Sequence, residues 1–400
     1  MISSEVGRKV QERFRIFETF LILHPMEKPV FFINKPDNIL PSGSTDEIFR
    51  KNDPLSFHQT LEDYKPTPLI ELKSLAEKFG VKKIYVKDES FRFGLNAFKG
   101  LGASYAIHKL LEQNPSIETF CTATDGNHGR AVAWAAKKFG KNSRIFVPRG
   151  TTEARIDAIQ GEGAIVEVMD RNYEATCDYA QIMAEGNGWT LVQDTTMENY
   201  DEIPAHIMAG YLTHFIEEEG SLNLLPEAHI DVIFLQSGVG SWPAAAAWYY
   251  TNRYGDKRPK LVVVEPKEAA GLLASLEAGK RTSPQGNFTT IMAGLNCGIP
   301  SASAWEILKN TVDAVIAVED TYAVEAIREF YFSQEGDPRI MAGESGAGGL
   351  AGFIALMQDE RFETVKEHLG INENSRILFF NTEGATDPPG FQKIIDDVYR

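Results

Sequence analysis

Cysteine is scarce and scattered: Cys121, Cys177 and Cys297 are the three in 400 residues, and no two stand close in sequence. That spacing supplies neither a disulfide framework nor a zinc cluster of the CxxC type. It fits a reducing compartment, so a cytoplasmic protein is expected. Long apolar runs are also missing. A bilayer span needs about 18 uninterrupted apolar residues, and no window approaches that. The apolar stretch 17–23 is short, contains Glu18 and Thr19, and does not read as a secretory signal. Basic stripes are absent from a chain whose 56 acidic residues outnumber 40 Lys and Arg, for a net charge of −16. Neither nucleic acid nor an anionic membrane surface is therefore an expected partner. A cationic or zwitterionic small substrate is compatible with the charge, although acidity also serves solubility alone. No HExxH or comparable spacing occurs, and no metal is expected.

What is present is ordinary for a globular protein: 43% hydrophobic and 24% charged residues. A length of 400 residues exceeds what one hydrophobic core usually supports, so two domains are expected. Short β-rich runs at 83–86, 119–122, 143–147, 164–168, 231–235, 261–264 and 377–380 alternate with helical patterns. These lie at 104–112, at 130–139 closed by Gly140, at 172–185 closed by Gly186, and at 243–250. Near-continuous apolar strands between helices predict an α/β fold with parallel-rich sheets covered on both faces. The stretch 117–209 reads as an inserted small domain, with 61–116 and 210–400 forming a large one. Pro115 and Pro204 mark candidate crossings. Residues 1–60 lack the strand–helix rhythm, 34–54 read as a polar loop, and this N-terminal extension is expected to pack on the large domain or at a dimer contact.

Three strand-to-helix junctions concentrate small and polar residues. In the first, Phe98-Lys99-Gly100 follows the strand at 84–87 and opens a helix, with Gly94, Gly100 and Gly102 nearby. The glycines permit close backbone approach, and desolvation beside Phe98 would favour the neutral, nucleophilic amine. A helix start packed tightly on a sheet reads the same way. In the second, Thr124-Asp125-Gly126-Asn127-His128-Gly129 precedes a helix whose free N–H groups suit a carboxylate. Simple capping by Thr124, Asp125 or Asn127 fits equally. The third, Gln236-Ser237-Gly238-Val239-Gly240-Ser241, has the form of a phosphate cradle or of an unliganded tight turn.

In this order the three segments resemble the fold-type II family of pyridoxal-phosphate (PLP) enzymes, the tryptophan synthase β and threonine dehydratase group. That family has a lysine preceded by phenylalanine, a Ser-x-Gly-Asn-His loop and a downstream glycine-rich phosphate loop. The resemblance begins at about Pro66, where Pro66-Thr67-Pro68-Leu69 looks like the family's entry segment, and runs to the C-terminus. Within the family, Gly94-Leu95-Asn96-Ala97-Phe98-Lys99-Gly100, Thr122 to Gly129, Val192-Gln193-Asp194-Thr195 and Asn381-Thr382-Glu383-Gly384-Ala385-Thr386-Asp387-Pro388 are similar to the branch of diaminopropionate ammonia-lyases. Asp125 stands where the dehydratase loop normally has a small apolar residue.

The resemblance implies a two-lobed fold, PLP as cofactor, a small amino-acid substrate and a homodimer. It implies α,β-elimination of 2,3-diaminopropionate, in both D and L forms, to pyruvate and ammonia. Lys99 would carry the cofactor as a Schiff base and act as base on one face of Cα, with Asp125 as base on the other. Asn127 would bond the cofactor's phenolic oxygen, Gly238, Val239 and Gly240 its phosphate, and Thr382 its pyridine nitrogen. Thr124 would receive the substrate carboxylate. Asp194 would hold the β-ammonium, unless it only caps a strand end; Thr382 likewise fits a plain turn residue. Glu344 resembles an acidic family residue near the cofactor, or a helix cap, and His128 reads as structural. The alternatives are a threonine or serine dehydratase-like enzyme and, from another class, a non-catalytic α/β metabolite-binding protein.

Overall fold

Runs of Val, Ile, Leu and Phe too short for helices form the strands, and cover on both faces explains why they lack polar alternation. The computed structural model describes residues 30–124, 126–196, 200–225 and 229–396. Among these the strands are β1 (Phe31–Ile33), β2 (Leu69–Glu71), β3 (Lys83–Asp88), β4 (Thr119–Ala123), β5 (Asn142–Pro148), β6 (Ile165–Met169), β7 (Thr190–Leu191), β8 (Val232–Gln236), β9 (Lys260–Pro266), β10 (Ala314–Val318) and β11 (Arg376–Asn381). Seven form one sheet in the order β1-β10-β9-β8-β11-β3-β2. Its five central strands are parallel, and β1 and β2 run antiparallel at the edges. The other four form a parallel sheet, β6-β5-β4-β7. The fold is α/β with a larger and a smaller sheet layer. No helix among the described residues is long and apolar enough to cross a membrane.

The helices that place the site are α1 (Lys99–Gln113), α2 (Asn127–Lys138), α3 (Tyr173–Asn187), α4 (Glu202–Leu222) and α5 (Ser241–Tyr254). Two differ from the pattern read in the sequence. The first, α1, starts at Lys99 rather than at 104, so the lysine is itself the first helical residue. Gly186 does not end α3; the chain stays helical to Asn187, and Gly188, at φ +67°, makes the left-handed cap.

The expected boundaries also shift. The chain enters the four-stranded layer after α1, in the loop that holds Pro115, but the junction at 209 falls inside the unbroken helix α4. Pro204 does not interrupt α4 because it sits in the first turn, where no intrahelical bond needs its N–H. The 34–54 loop contains a helix, Ser44–Lys51, with Asp46 and Glu47 in its first turn and Arg50 and Lys51 in its last. Those charges complement the helix dipole, and Phe49, 2% exposed, packs edge-on against Trp248. Buried His58 bonds Thr213 Oγ1 at 2.7 Å and the Leu101 carbonyl at 3.0 Å. The described part of 31–60 is thus woven into the larger layer.

Two glycines let α1 and α4 cross closely. A methyl group on Gly210 would meet the Leu101 carbonyl oxygen at 2.5 Å, and one on Gly102 would meet the Tyr211 ring at 2.5 Å. This crossing seats α1 so that its first residue stands over the carboxyl ends of the strands, where ligands bind in open α/β sheets. Gly210→Ala should destabilise the protein by about 1–3 kcal/mol through overpacking. Urea denaturation measures this, and an unchanged midpoint would show that the crossing tolerates a side chain.

Candidate active site

Polar loops follow the carboxyl ends of β4, β7, β8 and β11, and they meet at one cavity of about 880 Å³ that opens to solvent. Lys99, Thr124, Asn127, Asp194, Gly238, Val239, Gly240 and Thr382 all line it, though they come from distant parts of the chain. Asp125 lies outside the described residues. Glu344 is buried behind the wall. Burial pushes its carboxyl up to about 7, and the neighbouring Glu383 charge adds to the effect.

Lys99 Nζ meets Asp194 Oδ2 at 2.6 Å, with the Phe98 and Tyr211 rings 5.3 and 5.9 Å from the amine. Burial alone would lower the lysine's pKa, as the sequence suggests, but the Asp194 carboxylate outweighs it and raises the pKa. Asp194 is held well below the usual carboxylate range: burial pushes it up, and the Lys99 charge more than reverses that. In this state Lys99 is an ammonium, and Asp194 is the site's bound anion. His128 Nε2 donates to the Val192 carbonyl at 2.8 Å. Burial lowers its pKa, so the ring is neutral and Nδ1, 3.8 Å from Asp194, carries no proton.

Thr124 acts as a cap. Its Oγ1 accepts the N–H groups of Gly126 at 2.9 Å and Gly129 at 3.0 Å, and the residue lines the cavity. Gly129 is required there, because a methyl group would collide with the Thr124 side chain. Past β8, Gly240 is left-handed at φ +91°, and no side chain caps α5. The first N–H groups of a helix lack intrahelical partners, so this loop offers uncapped donors and a positive dipole end to an anion.

Several residues on the wall escaped the sequence reading, among them Gln236, Glu383, Arg155 and Trp242. The two Nε2 hydrogens of Gln236 are shared among Thr382 Oγ1 at 2.9 Å and the Phe380 and Gly346 carbonyls. Thr382 therefore accepts from Gln236 and keeps its own hydrogen for a group in the cavity. Glu383 faces the cavity beside it, Arg155 lies against Gly126, and Trp242 donates to His214 Nε2 at 2.8 Å. Gln236 and Glu383 each adjoin a residue the sequence reading singled out, which was the available signal. Arg155 and Trp242 gave none.

A primary amine, an uncapped helix start behind a glycine turn, and a hydroxyl with a free hydrogen fit an aldehyde cofactor with a phosphate and a ring nitrogen. The geometry therefore defines a protein built to hold PLP. The sequence pattern of the pyridoxal-phosphate dependent enzymes matches residues 60–368. The chain is 38% identical to the diaminopropionate ammonia-lyase of Escherichia coli, over 91% of this chain and 96% of that one. It is 35% identical to the Salmonella typhimurium enzyme of the same name, over 85% and 90%. A crystal structure of the Escherichia coli enzyme in complex with an aminoacrylate-PLP azomethine reaction intermediate superposes with a TM-score of 0.85 at 37% identity, covering 92% of this chain and 97% of that one. The chain belongs to the pyridoxal-phosphate dependent enzymes and, among them, to the diaminopropionate ammonia-lyase family. It is a PLP-dependent carbon–nitrogen lyase.

The ion pair gives a direct test. In Asp194→Asn, burial alone acts on the Lys99 amine, so its pKa should fall by at least about one unit. Modification of cofactor-free protein by an amine-reactive reagent, read at Lys99 by peptide mapping across pH, should show the lower midpoint. An unchanged midpoint would mean that Asp194 does not hold the ammonium.

Proposed function

We propose that this protein eliminates both amino groups of 2,3-diaminopropionate, giving pyruvate and ammonia. The observation that carries this reading is Asp194, a buried carboxylate whose partner is the Lys99 ammonium. When Lys99 acts as a neutral base, it is no longer the cation of Asp194, and the carboxylate needs another. The β-ammonium of diaminopropionate supplies one, whereas the hydroxyl of serine or threonine leaves a buried charge unpaired. Relatives named diaminopropionate ammonia-lyase support the same substrate.

Bound PLP supplies the electron sink at Cα. The protein's residues orient the substrate and move its protons. The uncapped loop of Gly238, Val239 and Gly240 takes the phosphate, Asn127 the ring hydroxyl and Thr382 the ring nitrogen, while Thr124 and the start of α2 receive the substrate carboxylate. Lys99, freed when substrate binds, removes the Cα proton on one face, and Asp125 does so on the other. The Cα–H electron pair becomes the Cα–Cβ double bond, and the β-nitrogen leaves as ammonia with the pair from the broken C–N bond. Held as an ammonium on Asp194, that nitrogen already carries the hydrogens it departs with. Water then releases the second ammonia and pyruvate. The family resemblance and the cysteine usage support a cytoplasmic homodimer.

Pyruvate release from D- and L-diaminopropionate, serine and threonine, assayed side by side, tests the substrate. Diaminopropionate should lead serine by about 100-fold or more in kcat/KM, since a site built for a polar partner rejects analogues that lack it. Equal turnover of serine or threonine would overturn the assignment. Lys99→Ala should lose borohydride-trapped cofactor and turnover together. Asp125→Asn should impair one enantiomer far more than the other, and equal losses would remove the two-base reading.

A further inference from the structure

Glu383 is the acidic wall residue to which the reading above gives no task, although it is 3% exposed and bonded on every side. Its Oε1 accepts the Ser345 N–H at 3.0 Å, and its Oε2 accepts from Thr386 Oγ1 at 3.1 Å and from Asn127 Nδ2. Its backbone carbonyl takes the Gly343 N–H at 2.9 Å. The glycines around Ser345 are shaped to it. A methyl group on Gly343 would lie 3.1 Å from Glu383 Cγ, and one on Gly346 would press on the Glu383 carbonyl and lie 2.5 Å from Asn381 Oδ1. The segment Gly343-Glu344-Ser345-Gly346 thus closes on Glu383 and fixes its carboxylate from behind.

The contact with Asn127 has a definite sense. An ionised carboxylate only accepts hydrogen bonds, while an asparagine amide has a donating and an accepting end. Glu383 must therefore face the NH2 group; a half-turn of the amide would set two acceptors against each other. Among the described residues Glu383 gives the Asn127 side chain its one hydrogen bond. One amide hydrogen goes to Glu383, and the second is left for the cavity.

We propose that Glu383 is a positioning residue that locks the Asn127 amide so that an N–H, not the carbonyl oxygen, is presented to the cofactor's ring hydroxyl. This rests on the reading that Asn127 faces the cofactor. A free amide would spend part of its time with its oxygen toward an oxygen that carries negative charge, which weakens cofactor binding and changes the electronics of the ring.

A double-mutant cycle separates positioning from a structural role. Glu383→Met keeps volume and removes both acceptors. It is combined with Asn127→Ala, and each protein is titrated with PLP by fluorescence and by visible absorption. Glu383→Met should raise the cofactor Kd about tenfold, the cost of one charge-assisted bond, and should move the visible band in the same direction as Asn127→Ala. In the Asn127→Ala background it should add less than about twofold. A wild-type Kd and band in Glu383→Met, or effects that multiply with those of Asn127→Ala, would overturn the proposal. If Asn127→Ala alone changes neither readout, the placement of Asn127 falls first and the proposal with it. Should Glu383→Met not fold, Thr386→Val, which removes one of the carboxylate's anchors, goes through the same cycle with the same deciding outcomes.

Discussion

The site depends on the ion pair between Lys99 and Asp194, 2.6 Å apart and 95 residues apart in the chain. A charge withdrawn from water is tolerated when an opposite charge meets it, and removing one partner leaves the other at a cost of several kcal/mol. The pair also joins the two sheet layers, because Lys99 opens α1 on the larger layer and Asp194 follows β7 of the smaller. Ser241 Oγ, at the start of α5, bonds the Asp194 carbonyl at 2.8 Å, and the Thr196 N–H bonds Ser301 Oγ at 3.0 Å. The seam between the layers is therefore where the lysine amine is paired, and any cation that replaces Lys99 meets an anion already held in place.

A second buried charge cluster centres on Arg92, which precedes Lys99 in the chain. Arg92, 1% exposed, bonds Glu89 and Glu217, and Lys87 Nζ meets Glu217 at 2.7 Å. Burial pushes the Glu89 carboxyl up, but the Arg92 charge overrides it and holds the group well below its ordinary value. Thr67 and the Lys65 carbonyl complete the shell. The loop between this cluster and Lys99 contains Phe93 at φ 52° and Asn96 at φ 56°, left-handed values that L residues adopt at a cost. The saturated cluster anchors that loop.

The α/β class was legible in the strand–helix rhythm, and the junctions at Lys99, Asn127 and Gly238–Gly240 stood out by their small and polar residues, but their roles and the position of Thr382 came only from the family resemblance. The pairing of Lys99 with Asp194 was not legible, since it joins residues brought together only by the packing of two sheets, and it reversed the expected effect of burial on the lysine. The helix Ser44–Lys51 could have been read from its charge pattern and was lost to the polar composition around it. The expected end of the smaller domain, 209, lies within α4, and Pro204 sits in that helix's first turn, where it breaks nothing. Glu383 and Gln236 each adjoin a residue already singled out, but their direction depends on neighbours far away in sequence.

The wall residues also bear on the order of chemical events under the proposed reaction. Thr382 receives a hydrogen bond from Gln236 and can offer only its hydroxyl hydrogen to a ring nitrogen. A hydroxyl donates a hydrogen bond without giving up its proton, so it leaves the nitrogen essentially unprotonated, and the sink for Cα electrons is weaker than a carboxylic acid partner would make it. Electron density then has reason to leave promptly through the β-carbon. On the proposed reading Asp194 would meet that demand from the other end, since a nitrogen kept as ammonium is a far better leaving group than a free amine. A modest sink and a prepared leaving group together favour elimination over reprotonation at Cα, and Gln236 and Lys99, the partners of Thr382 and Asp194, are what set those two conditions in the resting protein.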